Sequence, residues 1–289
     1  MKKRIPIVLK ENGDRAYAET LAAHLKTQLS EETDMLSPSA EGETQIEADE
    51  CVSSPAEGAR SVADTQVTAI SKGPVWLSVD ADGLSLTDGD QAMRGDFTKL
   101  QKRLQYHNLT HELLVKATKV KGREKLRVID ATAGMGEDSL LLAAAGCEVT
   151  LYEQDPVIAV LLQDTMRRAL EEATLHEIVM RMQLVEGDSI DHLRMLGETG
   201  ERPDVIYLDP MFPERQKSGL VKKKFQLIHY LEAPAENEEA LMQAAIAARP
   251  FKIVVKRPAK GPYLAGLKPS YSLDGKAIRY DCYVYPDNA

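Results

Sequence analysis

The chain has 289 residues, 43% hydrophobic and 28% charged, which supplies a sizeable core and excludes general disorder. Its longest apolar run, residues 140–145, is far shorter than the ~18 residues of a membrane-spanning helix, and the basic start Met1-Lys2-Lys3-Arg4 leads into an apolar stretch that Lys10 closes too early for a signal peptide, so a cytoplasmic location is expected. Cys51, Cys147 and Cys282 are too scattered for a disulfide framework or a zinc site, and the net charge of -9 is uneven, because ten acids face one base between Ser30 and Gln66 while the remainder balances.

In chain order, Ile5 to Leu9 suits a short strand, and Gly13 to Leu29 has helical spacing through Ala16, Leu21, Leu25 and Leu29. The acidic stretch of about residues 30–66, rich in Ser, Ala, Gly, Thr and Pro, reads as a mobile loop. Residues 75–79 and 84–86, split by Asp80-Ala81-Asp82-Gly83, read as a hairpin. Residues 1–95 thus form a small α/β appendage and residues 96–289 the main domain. A helix is expected over 100–118. Strand candidates at 126–130, 148–153, 183–187, 204–209 and 251–256 then alternate with helices at 137–145, 156–173, 189–196 and 236–249. That alternation implies an α/β, doubly wound, mostly parallel sheet of Rossmann-like kind. Segments 269–272 and 277–285 flank Asp274-Gly275, so the sheet ends in an antiparallel hairpin.

The first core strand, ending at Asp130, runs into Ala131-Thr132-Ala133-Gly134-Met135-Gly136 and then Glu137-Asp138. Gly134 and Gly136 allow a close approach of backbone to ligand, although a Gly-x-Gly pair also occurs in turns without ligands. The next strand ends at Glu153, where doubly wound proteins often place an acid for ribose hydroxyls. A pyrophosphate would avoid a helix N-terminus bracketed by Asp130, Glu137 and Asp138. The sulfonium and ammonium of S-adenosylmethionine suit those carboxylates. Gln154 and the turn Gly187-Asp188-Ser189 are placed for adenine, with an ordinary helix cap by Asp188 or Ser189 as the alternative. Asp155-Pro156 reads as a helix cap with proline in the first turn.

Strand 204–208 delivers Asp209-Pro210-Met211-Phe212-Pro213 to the ligand edge. An Asp-Pro pair can simply end a strand, but here it resembles the Asp-Pro-Pro-Tyr type motif of enzymes that methylate exocyclic amines on bases. Asp209 and the Pro210 carbonyl would accept the amine hydrogens and localise its lone pair. Phe212 would stack on the base, unless it packs in the core. No metal is needed. Basic runs occur at 97–127, at 214–224 and at 249–260. The last two follow strands at the presumed active edge, where Lys217, Lys222, Lys223, Lys224, Lys256 and Arg257 could hold RNA phosphates. Such runs can equally be plain solvated surface.

These motifs, with Tyr152-Glu153-Gln154-Asp155-Pro156, Gln216-Lys217-Ser218, Val221-Lys222-Lys223 and Val254-Val255-Lys256-Arg257-Pro258, make the sequence similar to the J-type bacterial 16S ribosomal RNA guanine-N2 methyltransferases over roughly residues 126–285. The resemblance implies methylation of guanine 1516 in customary ribosomal numbering, with 16S rRNA or the small ribosomal subunit as partner. It also implies that Glu137, Asp138, Glu153, Gln154, Asp188, Ser189 and Asp209 hold the cofactor. Residues 104–111 depart from the Gly-rich, Arg-containing run of that family. A methyltransferase for another base or a protein amine, and an inert RNA-binding or ribosome-assembly module, are the alternatives.

Overall fold

The computed structural model describes residues 5–31, 75–210, 227 and 237–285. They build two sheets. The smaller has the order β2-β1-β3-β4-β5, from β1 (Ile7–Leu9), β2 (Leu29–Glu31), β3 (Trp76–Asp80), β4 (Gly83–Thr87) and β5 (Ala92–Met93). Helix α1 (Arg15–Leu25) starts where the Asp14 side chain accepts the Tyr17 N–H at 3.0 Å. It stops short of Leu29 because Lys26 turns left-handed at φ 50°, which lets Leu29 pair with Ile7 as strand. The acidic stretch therefore begins as ordered strand through Glu31, and its remainder lies outside the described residues.

The expected single helix over 100–118 is broken. A 3-10 turn (Phe97–Leu100) leads into α2 (Gln101–Leu104), α3 (Tyr106–Leu109) and α4 (Leu113–Thr118), with Gln105 and Glu112 extended between them. Arg103 folds back to bond Glu112 through Nε and Nη2 at 2.8 and 3.0 Å, and Asn108 Nδ2 donates to the Lys102 carbonyl at 2.7 Å. These local bonds compete with continuation of the helix.

The larger sheet has the order β11-β12-β10-β9-β6-β7-β8. Its strands are β6 (Arg127–Asp130), β7 (Glu148–Glu153), β8 (Met182–Glu186), β9 (Val205–Leu208), β10 (Lys252–Pro258), β11 (Tyr271–Asp274) and β12 (Ile278–Val284). The central pairs are parallel, and β12 runs antiparallel between β10 and β11. The closing hairpin turns at Lys276-Ala277 rather than at Asp274-Gly275, since Asp274 pairs with Arg279 and the Gly275 N–H donates to the Ile278 carbonyl at 2.8 Å.

Helices α5 (Glu137–Ala144), α6 (Pro156–Leu170), α7 (His176–Val179), α8 (Ser189–Thr199) and α9 (Glu238–Ala247) cover this sheet. Val128, Val205, Tyr207 and Val254 pack on one face with α5 and α6 residues, and Ile129, Ile206, Leu208 and Ile253 on the other with α8 and α9 residues. Burial on both faces explains the near-continuous apolar strands. Helix α6 belongs to both halves of the molecule. Leu162 enters the large core, while Val157, Val160 and Leu161 pack under Leu77, Leu84 and Leu86 of the small sheet. Among the described residues no helix is long and apolar enough to cross a membrane.

Candidate active site

Strand β6 leads to β7 and β8 on one side, while β9 beside it leads to β10 on the other. The crevice at the carboxyl ends of β6 and β9 is thus the switch point where open α/β sheets bind ligands. Past Asp130, Ala131 and Ala133 donate N–H groups to the carbonyls of Tyr207 and Tyr152, each at 3.0 Å, which holds the turn against the strand ends. Gly134 lies at φ 52°, and a Cβ added there would meet no atom of the described residues within 4 Å. Gly187, past β8, is equally open at φ 153°. Gly136, at φ 74°, instead faces Leu162 Cδ1, which an added Cβ would approach to 2.6 Å.

The acids at this edge divide by burial. Asp130 is 1% exposed, with its oxygens accepting from the Thr132 N–H at 3.1 Å and Ser139 Oγ at 2.5 Å. Burial pushes its pKa up to about 7 against those bonds. Glu153 is also buried and accepts the N–H groups of Gly134 and Asp155 at 2.9 and 2.8 Å. Its pKa is likewise raised by burial to about 7. Each oxygen of a carboxylate can accept more than one donor. Asp188 caps α8 through the Ile190 N–H at 2.9 Å and is exposed, like Glu137 and Gln154, whereas Ser189 is buried.

Asp209 follows β9, and its N–H donates to Thr132 Oγ1 at 2.7 Å, which fixes the strand end to the glycine turn. The carboxylate is 34% exposed, and Lys256 Nζ donates to its Oδ2 at 2.8 Å. The same ammonium donates to Asp138 Oδ2 at 2.7 Å, an oxygen that also accepts the Tyr207 hydroxyl at 2.7 Å. Burial raises the Asp209 pKa and Lys256 opposes the rise. For Lys256, burial favours the neutral amine, but Asp209 and Asp138 outweigh it and hold the ammonium above its ordinary value. The glycine turn, the buried acids Asp130 and Glu153 and the Asp138-Lys256-Asp209 group thus meet at one edge of the sheet.

The model of the SAM-dependent methyltransferase family matches residues 61–285. Curated relatives named ribosomal RNA small subunit methyltransferase J include one from Thioalkalivibrio sulfidiphilus, 43% identical over 73% of this chain and 85% of its own. Another, from Pseudomonas syringae, is 42% identical over 74% of this chain and 80% of its own. The chain belongs to the ribosomal RNA small subunit methyltransferase J family. A crystal structure of a SAM-dependent methyltransferase from Neisseria gonorrhoeae aligns with TM-score 0.66 and 29% identity over 98% of this chain and 97% of that one. This J-family chain is accordingly a methyltransferase with a Rossmann-like fold, and S-adenosylmethionine is its cofactor. The open sides of Gly134 and Gly187 leave room for that group. Glu153 and Gln154 lie at the end of β7, Asp188 lies past β8, and Glu137 and Asp138 open α5, all at this edge of the sheet.

Several expected roles change in this J-family structure. Asp130, expected at the cofactor, is sealed beneath the turn and braces it. Gly136 serves helix packing, because its free side faces Leu162. Lys256, expected at RNA phosphate, is committed to two carboxylates. Arg257, also expected there, is 1% exposed and donates to the Pro262 carbonyl and to Glu238. Lys252 of the same basic run is buried, with Nζ bonded to the Ala117 and Lys119 carbonyls and to the Tyr271 hydroxyl. Pro210 is buried beside Asp209. Phe212, Lys217, Lys222, Lys223 and Lys224 lie outside the described residues. Sequence reasoning missed Thr132 and Tyr207. Tyr207 carried a faint signal as a polar-tipped residue two positions before Asp209, and Thr132 carried none. Among the described residues no His, Cys, Asp and Glu side chains gather as a metal site.

Proposed function

We propose that this methyltransferase modifies the exocyclic N2 amine of a guanine in 16S rRNA, guanine 1516 in customary ribosomal numbering, with Asp209 as the catalytic acceptor. The supporting observation is the partly exposed Asp209 carboxylate at the switch-point crevice, with Oδ2 on Lys256 and Oδ1 without a partner among the described residues. The amine lone pair of guanine is delocalised into the ring. Accepting its hydrogens on Asp209 Oδ1 and the Pro210 carbonyl returns that pair to nitrogen and points it along the line of attack. S-adenosylmethionine, when bound, supplies a methyl group already activated by its sulfonium. Little acid-base chemistry is then needed, and alignment carries most of the rate. Asp209 also takes the proton that the methylated amine sheds. The enzyme meets its rRNA, free or in the small subunit, in the cytoplasm.

The test is methyl transfer from labelled cofactor to 16S rRNA, with the modified nucleotide mapped. Asp209→Ala is expected to lose about a hundredfold or more in turnover while keeping its circular dichroism and cofactor affinity to within a few-fold. Full transfer by that variant, or a methyl group on another nucleotide, would overturn the assignment.

A further inference from the structure

The ammonium of Lys256 sits between two carboxylates that come from different elements, 2.7 Å from Asp138 Oδ2 at the start of α5 and 2.8 Å from Asp209 Oδ2 past β9. The groups facing Asp209 can be taken element by element. Lys256 and Arg257 come from β10, Asp138 from α5, Asp130 from β6, Tyr207 from its own strand and Tyr280 from β12. Arg257 spends its guanidinium on the Pro262 carbonyl and Glu238, and the acids and phenols supply no positive charge. Among the described residues Lys256 is therefore the cation in hydrogen-bond contact with Asp209. In a partly desolvated crevice shared by three carboxylates, an Asp without such a partner takes up a proton, because like charges and low dielectric both disfavour the ionised form. A protonated Asp209 would offer the substrate amine a weaker acceptor.

We propose that Lys256 is a positioning residue for methyl transfer, holding Asp209 ionised by occupying Oδ2 so that Oδ1 is left for the substrate amine. This rests on the reading of Asp209 as the amine acceptor. Asp138 and the Tyr207 hydroxyl hold Lys256 in turn, since Tyr207 donates to the oxygen that also takes the ammonium. The lysine thus has a fixed seat, and it is not a mobile phosphate ligand.

The experiment compares wild type with Lys256→Met, Lys256→Gln and Lys256→Arg in single-turnover methyl transfer to 16S rRNA between pH 5.5 and 9. In parallel, the Asp209 carboxyl is titrated by 13C NMR, its signal identified by loss in Asp209→Asn. Removing the ammonium raises the Asp209 pKa. The acid limb of the rate is therefore expected to move to higher pH by about one unit or more in the Met and Gln variants, costing about tenfold at low pH and little at pH 9. Arginine restores the wild-type limb. Should the Met variant fail to fold, the Gln variant, which keeps a donor without the charge, carries the comparison. A rate loss equal at every pH, or an unmoved limb, overturns the proposal. If wild type transfers no methyl group to 16S rRNA, the functional reading fails by itself. The carboxyl titration then decides the role of Lys256, supporting it if Asp209 titrates higher without the ammonium and refuting it if the titration is unchanged.

Discussion

A Cβ added at Gly136 would lie 2.6 Å from Leu162 Cδ1 and 3.3 Å from Phe97 Cζ, whereas one added at Gly134 would meet nothing among the described residues within 4 Å. The two glycines look alike in sequence, and both read there as points of ligand approach. Which side of each Cα meets the core is set by α6 and by the turn at Phe97, neither of which the Gly-x-Gly spacing encodes. Gly136→Ala is expected to cost about 2–3 kcal/mol from overpacking and left-handed strain, seen as a lowered melting temperature. Gly134→Ala should cost only about 1 kcal/mol from strain yet weaken S-adenosylmethionine binding in calorimetry, because its new methyl group projects into open space. Equal melting of the two variants would refute the distinction. Lys256 and Arg257 teach the same lesson in a strand. Their side chains leave β10 on opposite faces, one toward Asp209 and the other toward Glu238, so a basic pair in sequence is no patch in space.

Helix α6 shows how an element can be legible at one end and opaque along its side. Asp155 accepts the Val157 and Ile158 N–H groups at 2.9 and 3.2 Å with Pro156 in the first turn, as the Asp-Pro pair foretold, because capping is local chemistry. Its buried Asp164 carries no such local signal. That carboxylate accepts from Arg167 Nη2 at 3.0 Å, Arg168 Nε at 2.8 Å and the Leu84 N–H of β4 at 3.1 Å. Arg168 also donates to the Gly95 carbonyl at 2.7 Å. Together they clamp the small sheet and the junction near residue 95 to the main core. Asp164→Ala is expected to cost on the order of 3 kcal/mol, since it strands the buried Leu84 amide and leaves the largely buried Arg168 guanidinium without its carboxylate. Hydrogen exchange should then rise in β3 and β4 before it rises in β6 and β7. Uniform loss of protection in both sheets would refute a local clamp.

At the scale of the whole molecule, a chain of net charge -9 must meet a polyanion through a local surface. Three of the five bases in the run at 249–260, Lys252, Lys256 and Arg257, are spent inside the fold. Phosphate binding is then expected of the runs at 97–127 and 214–224. Replacing Lys222, Lys223 and Lys224 by Ala is expected to weaken RNA binding and flatten its dependence on log salt by about two units, at ~0.7 per phosphate on a single strand. An identical slope would discard that assignment. The succession of strands and helices along the chain, the parallel core, the glycine turn and the acid past β9 were readable from the sequence alone, because apolar period, capping and turn chemistry act over a few residues; the order of strands in the sheet was not. Nor was the seat of Lys256. It joins residues 118 and 47 positions apart, and only the packing of α5, β9 and β10 around one crevice decides that an ammonium, rather than solvent, faces those two carboxylates.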